Sequence, residues 1–503
     1  MLKIRRFVAT SPPVVLIRID RYAQQCKSAF IFIAAEATMP TIPVITFPRF
    51  TRPACLLPVL LAASSAAMAT LPSNAEVEVT LNKYLIANQK AKGVAVALID
   101  AGGIRVVTAG VARDKQLLKA DDLFEIGSVT KTFTGLLLAI ADEKGEAKLD
   151  DAVEKFLPDG IKLRDSTGAA IRMVDLATQR SGLPRLATNM QPKDAKNPYA
   201  DYSEQDLYDF LKTFTATRAR NEKYEYSNIG FGLLGLALTR AAKMDSFEAL
   251  LSERILKPLK MTSTTSDASR FAPRLTQPHD SEGFPTPAWH LPIAHAGAGA
   301  IRATAGDMGR YIEAIAGLRD IPLAKAINVA TTMREQGPGR INPIGLAWMQ
   351  LPFNERKFMS HDGGTFGSSS SLMVDRTAKE GVFVVANTST PLQNIALHLM
   401  DQRHSIVERE LPKVVSVAAD VLARYVGTYK LNDDMNIVVR LSGTKLSAQA
   451  SGQGEFEIFA ESDTRFFARV APIVMAFGDV SNGKAGSFVL EQGGAKLTAR
   501  RIP

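Results

Sequence analysis

The stretch Phe124-Glu125-Ile126-Gly127-Ser128-Val129-Thr130-Lys131 carries Ser-x-x-Lys and runs directly into the apolar segment Phe133–Ile140. The spacing predicts a helix over 128–144 that ends near Gly145, with Lys131 one turn after Ser128 on the same face. A serine hydroxyl is a weak nucleophile at neutral pH and needs a base beside it. A lysine one turn away, with its proton removed or shared, can be that base. The helix N-terminus adds N–H groups and the positive end of the macrodipole, both suited to a developing oxyanion. Ser-x-x-Lys also occurs at ordinary solvated helix starts, so its surroundings must decide whether it carries chemistry.

Upstream, Gly93–Ile99 is a short apolar run that reads as a buried strand, Asp100–Gly103 as a hairpin turn and Ile104–Ala109 as the returning strand. Downstream, residues 150–260 are mostly helical in pattern, broken at Pro158, Gly182-Leu183-Pro184 and Pro198. Residues 265–300, rich in Pro, Ser, Gly and Ala, read as a long loop. Strands return over 357–389, with Ser369–Val374 and Gly381–Ala386 around a turn at 376–380. The implied fold class is α+β: an antiparallel sheet drawn from both ends of the domain, flanked by helices, with an all-helical insert. Residues 396–420, helical and then loose, form the join to a different kind of sequence. From Tyr425 onward, short alternating segments at 437–441, 445–450, 455–459, 465–470, 474–477, 487–491 and 496–500 are separated by Gly, Asn and Asp, as in a small all-β barrel or sandwich. The expected organisation is a leader over 1–69, a first domain over 70–410 and a β-domain over 420–503.

With 503 residues, 46% hydrophobic and 22% charged, the chain has globular composition and room for two or more domains. Its formal charge of +9 is uneven: residues 1–69 hold eight basic side chains against Asp20 and Glu36, which leaves the remainder at +3. A near-neutral body gives no electrostatic basis for binding nucleic acid or an anionic membrane. In the leader, Arg49 and Arg52 precede the apolar stretch Ala54–Ala63, and Ala67-Met68-Ala69 supplies an A-x-A cleavage signal of the secretory kind. The residues before it are unusual in front of a signal peptide and fit translation starting at Met39; an uncleaved anchor around Phe30–Ala35 is the alternative, and it is short for one. The apolar stretch, interrupted by Pro58, is too short for a membrane span. The mature protein is therefore expected to be exported, to the periplasm or beyond, with no stable membrane span. Cys26 and Cys55 both lie in the leader, so the mature chain is expected without disulfides, thiolate nucleophile or cysteine metal site.

Two more motifs bear on Ser128. Tyr226-Ser227-Asn228 follows Lys223-Tyr224-Glu225; a tyrosine whose phenolate is stabilised by lysine charge can act as base or proton relay, and an amide can orient a lysine or hold a substrate carbonyl. His361-Asp362-Gly363-Gly364 offers a glycine run beside a strand, where a substrate can approach the backbone closely. The remaining histidines, His279, His290, His295, His398 and His404, lack ligand spacing, and His295 beside Gly297-Ala298-Gly299 reads as loop surface or pocket border. No metal site is expected.

The three motifs in this order resemble the serine β-lactamase and penicillin-binding superfamily, closest to class C β-lactamases and the related D-Ala-D-Ala carboxypeptidases, D-aminopeptidases and esterases. Asp175–Pro184, Tyr226–Leu236 and Gly299–Arg310 carry further likeness, over roughly residues 78–405. The tail, with Tyr425–Tyr429 and Ser462–Phe467, resembles the lipocalin-like barrel appended to some members. The resemblance implies that Ser128 attacks a carbonyl and becomes acylated, and that Lys131 and Tyr226 share the proton work. It implies that Asn228 positions Lys131 and the substrate amide, and that His361 and Gly363 line the opposite wall. The N–H groups of Ser128 and Gly364 would hold the oxyanion. It implies no metal or organic cofactor, and a peptidoglycan-derived peptide, β-lactam or small ester as substrate. Class C lactamases usually carry lysine where His361 stands, and polar residues near Leu392 and Ile395; no class A deacylating glutamate motif is evident. These departures move the expectation from lactamase toward D-peptidase or esterase, with a slowly acylating penicillin-binding receptor or assembly protein as the non-enzymatic alternative. Specificity is expected to lie in loops around 185–205 and 270–300.

Overall fold

The computed structural model describes residues 71–503 except 268, 335–342, 407–410, 433–434, 452–454, 470, 479 and 493–494. The leader expectations, including the cleavage signal, the start at Met39 and both cysteines, lie outside the described residues. Gly93–Asp100 (β1) and Gly103–Arg113 (β2) form the predicted hairpin. Short strands follow at Gln116–Leu117 (β3), Phe124–Glu125 (β4) and Arg302–Ala303 (β5). Then come Met349–Phe353 (β6), Arg356–Gly364 (β7), Ser369–Asp375 (β8) and Glu380–Ala386 (β9). Seven of these make one antiparallel sheet in the order β3-β2-β1-β9-β8-β7-β6. The first long strand therefore lies beside the last, Val94 opposite Ala386 and Ile99 opposite Gly381.

The unbroken apolar run of β1 has a direct cause, since both its faces are covered. Ala95, Ala97 and Ile99 face one core with Phe383 and Val385, packed with residues of the helices Thr130–Lys144, Asn228–Ala241 and Ala305–Ala316. Val94, Val96 and Leu98 face a second core with Val382 and Val384, shared with the helices Asn74–Leu81 and Gln393–Met400. Burying each large apolar side chain here contributes about 1.5–3 kcal/mol.

The region between the strands is less helical than its pattern predicts. Helices stand at Met173–Ala177, Glu204–Thr213, Asn228–Ala241 and Phe247–Leu251, but 178–203 and 214–227 are turns and irregular chain. The expected long loop over 265–300 ends in a helix, Ile293–Gly299, packed on Asn228–Ala241. Its Gly and Ala content, read as loop, is what lets the two backbones approach. The strand β6 was likewise not expected.

Beyond the join, the tail is a closed barrel. Its strands are Gly427–Asn432 (β10), Met435–Ser442 (β11), Lys445–Ala450 (β12), Phe456–Ala460 (β13), Arg465–Ala468 (β14) and Ile473–Phe477 (β15). The small hairpin Val480–Ser481 (β16) and Lys484–Ala485 (β17) precedes Ser487–Gln492 (β18) and Ala495–Ile502 (β19). β10 pairs with β19 and closes eight strands, so the barrel, not the sandwich, is realised. Tyr429, Phe466, Phe477 and Phe488 fill the interior, as expected where eight strands leave room only for side chains. No helix among the described residues is long and apolar enough to cross a membrane.

Phe383 is fully buried at the centre of the sheet. Phe383→Ala is expected to destabilise the sheet-containing part by about 3–5 kcal/mol, read as a lower urea midpoint.

Candidate active site

The turn Gly127–Val129 is a single 3-10 turn, and the α-helix proper starts at Thr130. Lys131 Nζ lies 3.0 Å from Ser128 Oγ and donates to the Ala298 carbonyl at 2.7 Å. Lys131 has no exposed surface. Burial, and secondarily the positive charge of Arg185, hold its amine well below the ordinary lysine range. The pairing of serine with a lysine that holds its proton less tightly than usual is thus present in the geometry.

Tyr226 lies beside the same pair, its ring centroid 4.9 Å from Lys131 Nζ and its hydroxyl within reach of Ser128. Burial raises its phenol above the ordinary range. The sequence suggested a phenolate stabilised by lysine charge; the structure instead favours the neutral phenol, because burial outweighs the support of the Arg185 charge over its ring. Its position is set by the Asp175–Pro184 segment: Ser227 N–H donates to Gln179 Oε1 at 2.7 Å, and Ser227 Oγ donates to the Pro184 carbonyl at 2.7 Å. Ser227 Oγ also accepts from Gly230 N–H at 2.9 Å, capping the Asn228–Ala241 helix.

Asn228 lies in the same cleft but does not hold Lys131. Its Nδ2 donates to the Tyr199 hydroxyl at 2.9 Å, while its Oδ1 is buried without a partner. The Ala298 carbonyl takes the lysine-orienting place assigned to Asn228.

On the opposite side, β7 carries His361 to Gly364. Gly363 fits against the Ile126 turn: a Cβ there would sit 2.1 Å from the Ile126 carbonyl oxygen. Ser370 Oγ donates to that same carbonyl at 2.8 Å. Gly127, at φ +50°, approaches so closely that a Cβ on it would lie 2.6 Å from Gly364 N. Thr365 N–H bonds the Ser368 carbonyl, so ladder alternation turns the Gly364 N–H away from β8 and toward the Ser128 turn. His361 is brought near but not into the cleft. It is buried, its ring 6.5 Å from that of Tyr226 and its Nδ1 2.7 Å from the Asp362 carbonyl. Burial and the Lys131 charge push its imidazole down to about 3. Asp362 beside it is pushed up to about 6 by burial, against a hydrogen bond donated by Ser371 Oγ at 2.6 Å.

Ser128, Asn228 and Gly364 line a cleft with about 360 Å³ of empty space, together with Arg185, Tyr199 and Trp289. The last three were not singled out in the sequence, although they fall within the two loop regions expected to set specificity. Glu125 was also missed. Buried, it accepts from Trp289 N–H at 2.6 Å and Thr365 Oγ1 at 3.0 Å and faces Arg302 at 3.8 Å, tying the loop and β7 to the Ser128 turn. His295 is no loop surface: it is buried on the Ile293–Gly299 helix, between Tyr199 and Tyr202. Leu392 and Ile395 are buried in the second core. Among the described residues no group of His, Cys, Asp or Glu could hold a metal ion.

Residues 77–403 match the Beta-lactamase family model, and 411–500 match a domain of unknown function, DUF3471. A penicillin-binding protein of Bacillus subtilis is 26% identical over 425 residues, covering 77% of this chain and 89% of that protein. The D-alanyl-D-alanine-carboxypeptidase/endopeptidase AmpH of Escherichia coli is 27% identical over 320 residues, covering 60% of this chain and 80% of that protein. Among solved structures, a β-lactamase/D-alanine carboxypeptidase from Yersinia pestis superposes with a TM-score of 0.55 at 24% identity, over 66% of this chain and 98% of that one. At that identity the likeness speaks for the fold.

The electrostatics predict that one lysine titrates far below the others. In NMR of lysine-labelled protein, Lys131→Met is expected to remove that titration. Arg185→Gln removes a positive charge that disfavours protonation, so it is expected to move the midpoint to higher pH. A Lys131 midpoint among those of the exposed lysines contradicts this account.

Proposed function

The chain belongs to the beta-lactamase family, whose members are serine hydrolases, and we propose that this one hydrolyses amide bonds of D-amino-acid peptides or β-lactams through an acyl-enzyme on Ser128. The observation that carries the reading is the 3.0 Å approach of a fully buried, proton-poor Lys131 to Ser128 Oγ. Ser128 Oγ attacks the substrate carbonyl as its proton passes to Lys131 Nζ. The N–H groups of Ser128 and Gly364 receive the oxyanion. The Tyr226 phenol gives its proton to the departing nitrogen and is reprotonated from Lys131, which restores both groups. Water then attacks the ester, losing a proton to Lys131, which passes it to Ser128 Oγ as the C–O bond breaks, releasing the acid and free Ser128. Preorganised donors and a positioned base of this kind together supply most of such an acceleration.

The balance between substrates follows from the far wall. His361 is buried and favours its neutral form, and Leu392 and Ile395 belong to the core, so none of the three offers a cation to a drug's carboxylate. This supports a peptidase or esterase over a lactamase proper. The separate family matches to 77–403 and 411–500 support reading 70–410 as the hydrolase domain and 420–503 as an accessory lipocalin-like domain. The A-x-A signal at 67–69 supports export to the periplasm or beyond, which cell fractionation tests.

A panel of D-Ala-D-Ala peptides, D-amino amides, nitrocefin and short esters tests the activity. Ser128→Ala is expected to lower kcat/KM by at least about 10⁴-fold, Lys131→Met by about 10²–10⁴-fold and Tyr226→Phe by about 10²-fold. A fluorescent penicillin should form an adduct on Ser128 that nitrocefin turnover does not outpace. Hydrolysis that survives Ser128→Ala sinks the mechanism.

A further inference from the structure

Arg185 follows the Gly182-Leu183-Pro184 turn, and its backbone is committed to the fold: its carbonyl accepts from Asn228 N–H at 3.0 Å. Its guanidinium is not so committed. The neighbouring arginines have acidic partners, Arg172 with Asp175, Arg218 with Glu225 and Arg220 with Asp175. Among the described residues no carboxylate pairs with Arg185 and no acceptor takes its N–H groups; it lies over the Tyr226 ring, 5.1 Å from the centroid. A guanidinium keeps its charge at any physiological pH and presents five donors in a planar fork. This one lines the cleft that contains Ser128, and no acidic side chain lines that cleft. A second polar atom in the same wall is unanswered: Asn228 Oδ1 is buried with no hydrogen-bond partner. A buried acceptor left bare is costly unless a ligand supplies the donor. One unpaired cation and one bare acceptor, converging beside the reacting serine, describe a binding site for a group that carries an anion and an N–H.

We infer that Arg185 binds a carboxylate on the acyl part of the substrate, while Asn228 Oδ1 accepts an N–H from that same part. The preferred acyl donor therefore bears an acidic side chain near its scissile carbonyl. The inference rests on the acyl-enzyme reading of Ser128. The acyl part is assigned to these cleft residues because it stays on Ser128 through both steps, whereas the leaving group departs after the first.

Two esters that differ only by a carboxylate in place of a methyl, 4-nitrophenyl hemiglutarate and 4-nitrophenyl pentanoate, measure the preference. The ratio of their kcat/KM values is expected to favour hemiglutarate and to fall about 10–100-fold in Arg185→Gln, the range for a charge-assisted hydrogen bond. Arg185→Lys, which keeps the charge, is expected to retain much of the ratio, and added salt to erode it. A second pair, 3-carboxyphenyl and phenyl pentanoate, places the carboxylate on the leaving group. A hemiglutarate-to-pentanoate ratio unchanged in Arg185→Gln overturns the inference, and so does an Arg185 dependence confined to the second pair. Binding of glutarate by calorimetry to Ser128→Ala, with and without Arg185→Gln, reads the same site without turnover. Weakening of at least about tenfold supports it, and equal affinity overturns it. Hydrolysis that persists in Ser128→Ala would count against the acyl-enzyme reading, while the calorimetry still decides the role of Arg185.

Discussion

The site depends on one close approach, between the turn at Ile126–Ser128 and the end of β7. Gly127 meets Gly364, and Gly363 meets the Ile126 carbonyl, at distances that no Cβ could share. The first contact also uses a left-handed φ at Gly127, which glycine adopts at little cost. Ser370 fixes the same carbonyl by a hydrogen bond, and Glu125 ties the adjoining loop and Thr365 to the turn. The turn and helix that carry Ser128 and Lys131 are thereby locked to the strand that carries Gly364. Because β7 belongs to a sheet whose central strands come from both ends of the domain, the placement of one backbone N–H draws on the whole sheet. The family's β-lactamase-like fold can be read as the scaffold that this approach requires.

Desolvation then sets the chemistry. Lys131 is surrounded by Tyr226, Phe231, His295 and His361, and among the described residues its hydrogen bonds run to a carbonyl and a hydroxyl and to no carboxylate. A lysine so placed holds its proton less tightly than usual, and the histidines around it are pushed the same way, each down to about 3. The result is a low-dielectric site without a carboxylate at the proposed nucleophile, where the two proposed oxyanion donors would meet little competition from water. Burying a lysine in this way detracts from stability, as functional sites commonly do.

The sequence was most legible where burial is symmetrical or spacing is rigid. The run Gly93–Ile99 announced a strand covered on both faces, and Ser-x-x-Lys fixed a one-turn contact that the helix realises at 3.0 Å. Legibility failed where tertiary contact reverses local preference. Ile293–Gly299 has the composition of a loop, yet it forms a helix because Gly232 and Gly235 on its neighbour and its own Gly297 allow contact that larger residues would block. It also failed for Arg185, Tyr199 and Trp289, which irregular chain brings to the cleft without any periodic pattern. Asn228 was recognised by motif, but its partner could not be read, since Tyr199 lies 29 residues away along an irregular path.

Arg185 joins recognition to chemistry through its field. Its positive charge lowers the proton affinity of both Lys131 and Tyr226. A carboxylate docked on the guanidinium offsets that charge at the same short range. The sign is fixed: with the field offset, the free amine of Lys131 binds a proton more tightly, so it becomes a stronger base when an acidic acyl group is in place. The Tyr226 phenol becomes a weaker acid by the same change and holds its proton until the leaving nitrogen needs it. A substrate lacking the carboxylate meets the weaker base. Discrimination then arises partly in the proton transfer itself, where it raises kcat as well as lowering KM, and not only in the initial grip on the substrate.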